Sequence, residues 1–178
     1  MNRSLRIAAT CLSLLWALIA VVPSGVAQSA TAVPQLDANQ LLGTYYVIAR
    51  YPIKRKRQCV GKEVVLYALG DKKRAIEIVS SCPISIDSSM AWNWSGKLSK
   101  DGDGKIKIAW IWPVTKKYWI LDLAPDASWA LAGTPNHKKL WILSRTPEMR
   151  PETLATVETM AAGQGFNTAK LIQVKQGD

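Results

Sequence analysis

Residues 105–144 read KIKIAWIWPVTKKYWILDLAPDASWALAGTPNHKKLWILS, and this stretch decides the fold class. Lys105 to Trp112, Tyr118 to Leu123, Ser128 to Gly133 and Lys138 to Ser144 are short runs rich in β-branched and aromatic residues. They are separated by Pro113 to Lys117, Ala124-Pro125-Asp126 and Thr134-Pro135-Asn136, none long enough for a helix. The same pattern extends toward the N-terminus. Asp101-Gly102-Asp103-Gly104 precedes Lys105, and Ala91 to Leu98 lies before it; a polar connection leads back to Arg74 to Ser81. Gly70-Asp71-Lys72-Lys73 turns back again to Lys62 to Leu69, and Tyr45 to Tyr51, ended by Pro52 and a basic loop, is the first run. Eight strands joined in sequence predict an all-β, antiparallel up-and-down barrel, because closure removes unpaired strand edges. Eight strands enclose room for about one small ligand.

The flanking segments bound this domain. Arg3 and Arg6 followed by the uncharged run Ile7 to Val22, the break at Pro23-Ser24-Gly25 and the small residues Gly25-Val26-Ala27 have the layout of a secretory signal peptide spanning 1–27. The competing reading is a membrane anchor, for which the run is short. Cys11 falls too early in the run, without a good lipobox, so no lipid anchor is expected. Residues 28–40 read as a lead-in and 41–178 as the barrel with its appendages. Pro151 opens a helix over about 151–163, with Leu154, Val157 and Met160 or Ala161 as its apolar stripe and Gly163 and Gly165 closing it. It should pack outside the barrel. Residues 170–174 could add a short final strand.

Export leaves Cys59 and Cys82, which suggest a disulfide rather than a metal or redox site. Around the Gly70-Asp71 turn the two lie twelve residues before Asp71 and eleven after, roughly opposite each other in an antiparallel hairpin. Removing Arg3 and Arg6 takes the formal charge from +10 to +8, which admits anionic partners. Export argues against nucleic acid and leaves an anionic membrane surface or an anionic ligand. Seven of the eight tryptophans lie beyond the leader, enough to line a pocket as well as a core.

Three segments carry a specific resemblance. Gly43-Thr44-Tyr45-Tyr46-Val47-Ile48-Ala49-Arg50-Tyr51-Pro52 resembles the first lipocalin motif, and Leu140-Trp141-Ile142-Leu143-Ser144-Arg145-Thr146-Pro147 resembles the last-strand motif with its arginine. Tyr118 to Leu123 with Trp129 to Gly133 is similar to the middle motif, and Gly165 to Ile172 to the tail of bacterial outer-membrane lipocalins and their apolipoprotein D relatives. The resemblance spans about residues 36–174 and implies a barrel whose floor is closed by an aromatic ring under the last-strand arginine. Here Tyr45 stands where the family motif has tryptophan, and Arg145 is the arginine, so a cation–π contact between them is expected.

Up-and-down alternation puts Tyr45 and Arg145 at one end. The connections carrying Lys54, Arg55, Lys56 and Arg57, then the polar stretch near Asp87, Lys116 and Lys117, and Lys138 and Lys139 gather at the other, open end. This predicts a basic rim over an apolar cavity, although such charge runs are more often only solvated loops. Trp141 shares a face with Leu143 and Arg145, and Trp110 with Ile108 and Trp112, so both faces are expected to point inward. Trp94, Trp129 and Tyr51 complete the candidate ligand-binding set; any tryptophan could instead serve the core or pack beneath the helix.

Catalysis is not expected. His137, the one histidine, sits in a turn, and both remaining cysteines are read as oxidised, which leaves no triad or thiol nucleophile. No Cys/His cluster suits zinc, and Asp101 to Gly104 lacks the later ligands of a calcium loop. No metal or cofactor is implied. An enzyme using Asp122 or a buried tyrosine as acid or base is the remote alternative. The expectation is an exported lipocalin, periplasmic, outer-membrane associated or secreted, that binds, stores or transports a fatty acid or lysophospholipid. A second candidate is a docking protein for anionic envelope surfaces whose barrel is filled by side chains. The sequence does not set the oligomeric state.

Overall fold

A computed structural model describes residues 29–53, 59–111 and 113–177, without the Trp110 side chain. The leader at 1–27, Lys54 to Arg57 and Trp112 lie outside the described residues. Eight antiparallel strands form the ring: β1 (Gly43–Arg50), β2 (Val64–Leu69), β3 (Ala75–Ser85), β4 (Ser88–Leu98), β5 (Lys105–Ile111), β6 (Val114–Leu123), β7 (Trp129–Gly133) and β8 (Leu140–Ser144). Each pairs with its sequence neighbour, and β1 pairs with both β8 and β2, which closes the barrel. Two connections differ from the sequence reading. β3 and β4 run on to a tight hairpin at Ser85 and Ser88, and β6 starts at Val114. In both places the backbone ladder continues past the apolar residues, since ladder bonds do not depend on side-chain polarity.

The pleat sorts side chains into two clusters. Tyr45, Val47, Val65, Tyr67, Ile76, Ile106 and Ile120 fill the interior around Leu41. Ile48, Leu121, Leu131, Leu140 and Ile142 face outward and meet Val157 and Ala161 of α2 (Pro151–Gly163). Ala161, not Met160, completes the helix stripe; Met160 is exposed. At the end of α2 the Phe166 amide donates to Ala161 and the Gly165 amide to Ala162, with Gly165 at φ +83°, a left-handed cap that suits glycine.

The lead-in is more structured than its polarity suggests. Val33 donates to the Ile120 carbonyl and accepts from the Gly104 amide, and Leu36 donates to Gly102. α1 (Ala38–Leu41), capped by the Asp37 carboxylate, then drops fully buried Leu41 into the closed end. The C-terminal segment mends a gap elsewhere. β2 pairs only with Gly43 to Tyr46 of β1, and β9 (Ile172–Gln173) takes Ala49 and Arg50. Lys62 donates to Lys175, and the Gln176 amide reaches the carbonyls of Val47 and Glu63.

Cys59 and Cys82 form the expected disulfide, with Cα atoms 5.5 Å apart. It ties the start of β2 to β3 across a sequence separation of 23 residues. The paired replacement Cys59→Ser with Cys82→Ser should therefore lower stability by about 3 kcal/mol, through the wider unfolded ensemble. Urea unfolding of the variant and of reduced native protein should show the same lowered midpoint.

Candidate functional site

The floor comes first because it defines the other end as the mouth. The Arg145 guanidinium lies 3.7 Å from the centre of the Tyr45 ring. It donates to the carbonyls of Gln40, Leu42, Thr44 and Ala127. The Tyr45 hydroxyl donates to Ala127 as well, at 3.2 Å. Gly43 leaves the space: with φ +101°, its added Cβ would stand 2.9 Å from the Arg145 Nη1.

Above this floor is a cavity of about 760 Å³, within the roughly 300–1,000 Å³ usual for ligand sites. Trp94, Ile108 and Trp141 of the candidate set line it, together with Trp92, Tyr118 and Ile78. Lys116, Lys117, Lys138 and Lys139 border it, with the Lys139 ammonium 6.0 Å from the Trp141 ring centre. Lys54, Arg55, Lys56, Arg57, Trp112 and the Trp110 side chain carry no placement.

Two expected lining residues face the other way. A bulge between Val47 and Ala49 reverses the alternation of β1, so Arg50 enters the cavity wall and Tyr51 turns outward. Tyr51 stacks edge-on to Phe166 and donates to the Asn167 carbonyl. On β7, Ala130 and Ala132 face the interior, while Trp129 and Leu131 pack toward the helix. In that strand the small side chains face inward and the large ones cover the outer cluster.

Two polar features of the barrel escaped the sequence reading. Arg50 and Glu63 form a buried ion pair, the Arg50 Nε donating to both carboxylate oxygens at 2.8 and 2.9 Å and Nη2 to one at 2.5 Å. Arg50 also donates to the Tyr51 carbonyl. Deeper down, the Tyr67 and Tyr118 hydroxyls meet at 2.5 Å. Burial, before any other cause, raises both above the usual tyrosine range, so both are neutral at physiological pH. An arginine at an expected strand end was the one available signal for the first. Tyr118 was visible only as the neighbour of Trp119.

Of the residues considered for catalysis, His137 and Asp122 are elsewhere, whereas a buried tyrosine, Tyr118, does line the cavity. The His137 Nε2 bonds the Gln164 carbonyl, and its ring packs on Phe166, outside the barrel. The Asp122 carboxylate accepts from the next amide, Leu123, and does not line the cavity. Among the described residues no group of three His, Cys, Asp or Glu side chains could hold a metal. The Asp103 carboxylate of the former calcium-like stretch pairs instead with Lys105.

The buried ion pair gives a measurable asymmetry. Glu63→Leu leaves Arg50 as an unmatched charge and should cost about 3–5 kcal/mol. Replacing both, Arg50→Met with Glu63→Leu, should cost far less than either single change. Urea unfolding of the four proteins as a double-mutant cycle measures the difference.

The geometry agrees with the comparisons. The chain matches the family model described as a lipocalin-like domain over residues 36–176. It is 32% identical over 157 residues to outer membrane lipoprotein Blc of Citrobacter freundii, spanning 86% of this chain and 85% of that protein. Temperature-induced lipocalin-1 of Arabidopsis thaliana is 37% identical over 86 residues, or 44% of this chain and 46% of that one. Among solved structures, insecticyanin from the tobacco hornworm Manduca sexta superposes with a TM-score of 0.64 at 18% identity, covering 86% of this chain and 88% of its own. Motif order, closed floor, outer helix and these matches together make the chain a member of the lipocalin family, similar over most of its length to bacterial outer-membrane lipocalins.

Proposed function

We propose that this lipocalin is an envelope carrier that holds a fatty acid or lysophospholipid in its barrel. The observation that carries the reading is the cavity: about 760 Å³, walled by Val65, Ile78, Trp94, Ile108 and Trp141, and bordered by lysines. Its apolar wall supplies affinity at ~25 cal/mol per Å² buried, less the cost of ordering the ligand. Its lysines match a carboxylate or phosphate at the mouth. Relatives named as outer membrane lipoproteins, the leader-like N-terminus and the disulfide support an envelope location. The reading is of binding rather than turnover, since His137 sits outside the barrel and Cys59 and Cys82 are bonded to each other.

A second observation favours docking on an anionic membrane as part of the same activity. Ile86, fully exposed at 101%, tips the β3–β4 hairpin, and Ile111 and Val114, at 68% and 57%, flank the β5–β6 turn. These apolar tips stand at the same end as Lys116, Lys117, Lys138 and Lys139. Apolar side chains ringed by cations suit the headgroup boundary of an anionic bilayer. The cavity speaks against the version of docking in which side chains fill the barrel.

Native mass spectrometry of protein purified from its own envelope, followed by lipid extraction, tests the carrier reading. A stoichiometric bound lipid is expected; a mass that stays apo after incubation with fatty acids and lysophospholipids overturns it. Docking is read by co-sedimentation with vesicles. Binding should be stronger to phosphatidylglycerol than to phosphatidylcholine, fall with salt, and weaken in Ile86→Asp with Val114→Asp while the cavity still binds ligand.

A further inference from the structure

Polar groups line the cavity along the wall, where Arg50, Glu63, Ser80, Ser81 and Thr115 stand, and also at its two ends. Lysines mark the mouth, whereas the Tyr67–Tyr118 hydroxyl pair lies near the floor. Tyr118 pairs in register with Ile106 and lines the cavity, and Tyr67 lies beneath it, its ring 5.9 Å from that of Tyr45. Between mouth and pair the apolar part of the wall is Val65, Ile78, Ile108, Trp94 and Trp141.

Counting protons shows what the pair lacks. A phenol has one proton to donate. When two phenols bond each other, one proton is used and the other remains. Tyr67 is 1% exposed, is not among the residues that line this cavity, and among the described residues has only Tyr118 as a side-chain hydrogen-bond partner. If Tyr118 were the donor, the Tyr67 proton would be sealed in the core without an acceptor, a costly arrangement. Tyr67 therefore donates to Tyr118. The spare proton then belongs to Tyr118, which is 8% exposed and borders the cavity. Among the described residues no group accepts it. Burial keeps both hydroxyls protonated, so the donor is present at any physiological pH.

We propose that the Tyr118 hydroxyl donates a hydrogen bond to an oxygen near the buried end of the ligand, and that the ligand is an oxygenated acyl chain. This rests on the carrier reading above and narrows it. The molecule is anionic at the mouth, apolar along the wall, and carries a carbonyl or hydroxyl oxygen at depth. Tyr67 acts through Tyr118 as a positioning residue, fixing the direction in which that proton points.

The test compares palmitic acid with otherwise identical acids whose ketone is stepped along the distal half of the chain. A ketone accepts but does not donate. Isothermal titration should show the best-placed keto acid binding wild-type protein roughly three- to tenfold tighter than palmitic acid, the range of one net hydrogen bond. Tyr118→Phe should erase that preference, so that within the variant the keto acids bind no tighter than palmitic acid. Tyr67→Phe should weaken the preference without erasing it, because Tyr118 keeps its own proton but loses the partner that aims it. A flat series in wild type, or a preference that survives Tyr118→Phe, overturns the proposal while leaving the carrier reading intact. Equal weakening of every acid by Tyr118→Phe marks a packing role and overturns it too. If no acid binds at all, the carrier reading falls and this inference falls with it.

Discussion

Everything in this barrel depends on Arg145 lying over Tyr45. The pair joins parts of the chain that are a hundred residues apart: the start of β1, the end of β8, the lead-in and the Ala127 turn. One guanidinium satisfies four carbonyls that would otherwise be left at a strand end, a task suited to its planar fork of donors and poorly suited to lysine. Because one end is sealed this way, Leu41 and Tyr67 pack against a fixed base, and the strands can diverge toward the other end without losing closure. The smaller ring of Tyr45, in place of the family's tryptophan, still gives the guanidinium a face to rest on. Its hydroxyl adds a bond to Ala127, which an indole at this position could not supply in the same way.

The open end is built differently, and its weak point is the β1–β2 seam. The Val47 amide still donates to the Glu63 carbonyl, and beyond that bond the two strands part. Two things span the opening, the Arg50–Glu63 pair from inside and the C-terminal segment from outside, while the disulfide anchors the β1–β2 connection to β3. An ion pair so buried contributes little net stability, since desolvation offsets the attraction. Its value here is directional. The bulge that turns Arg50 inward also turns Tyr51 outward onto Phe166, so one local irregularity sets both the cavity wall and the docking of the C-terminal tail.

Much of this was legible in the sequence. Eight runs, their order, the helix, the Tyr45–Arg145 floor and the Cys59–Cys82 bridge could be read because each follows from period, turn residues or motif. Alternation put Trp141 and Ile108 on inward faces, and both border the cavity. Tyr51 does not, because a bulge adds one residue and inverts every facing after it, and nothing in the run Val47-Ile48-Ala49 announces one. Trp129 stood in the candidate set with packing beneath the helix as its alternative, and the alternative is where it lies, since the outer cluster needs large side chains as much as the interior does. The Tyr67–Tyr118 contact is a pairing across 51 positions in sequence, visible only once the barrel is closed.

Charge and burial divide the work of recognition by depth. Inside the barrel Arg50 is matched by Glu63, so the wall carries no net charge that would attract or repel a ligand head. The other cations that border the cavity are Lys116 and Lys117 of β6 and Lys138 and Lys139 of the β7–β8 connection. Such exposed charges act over about 8–10 Å at physiological salt before screening removes them. They can orient an arriving anion but hold it only weakly. Retention must then come from the apolar wall, where affinity grows with each methylene buried. A molecule that satisfied only the rim would leave as fast as it came, and one without a charged head would enter in either direction. The arrangement favours a ligand that is long, apolar along most of its length and anionic at one end, because only that shape uses the wall and the rim together.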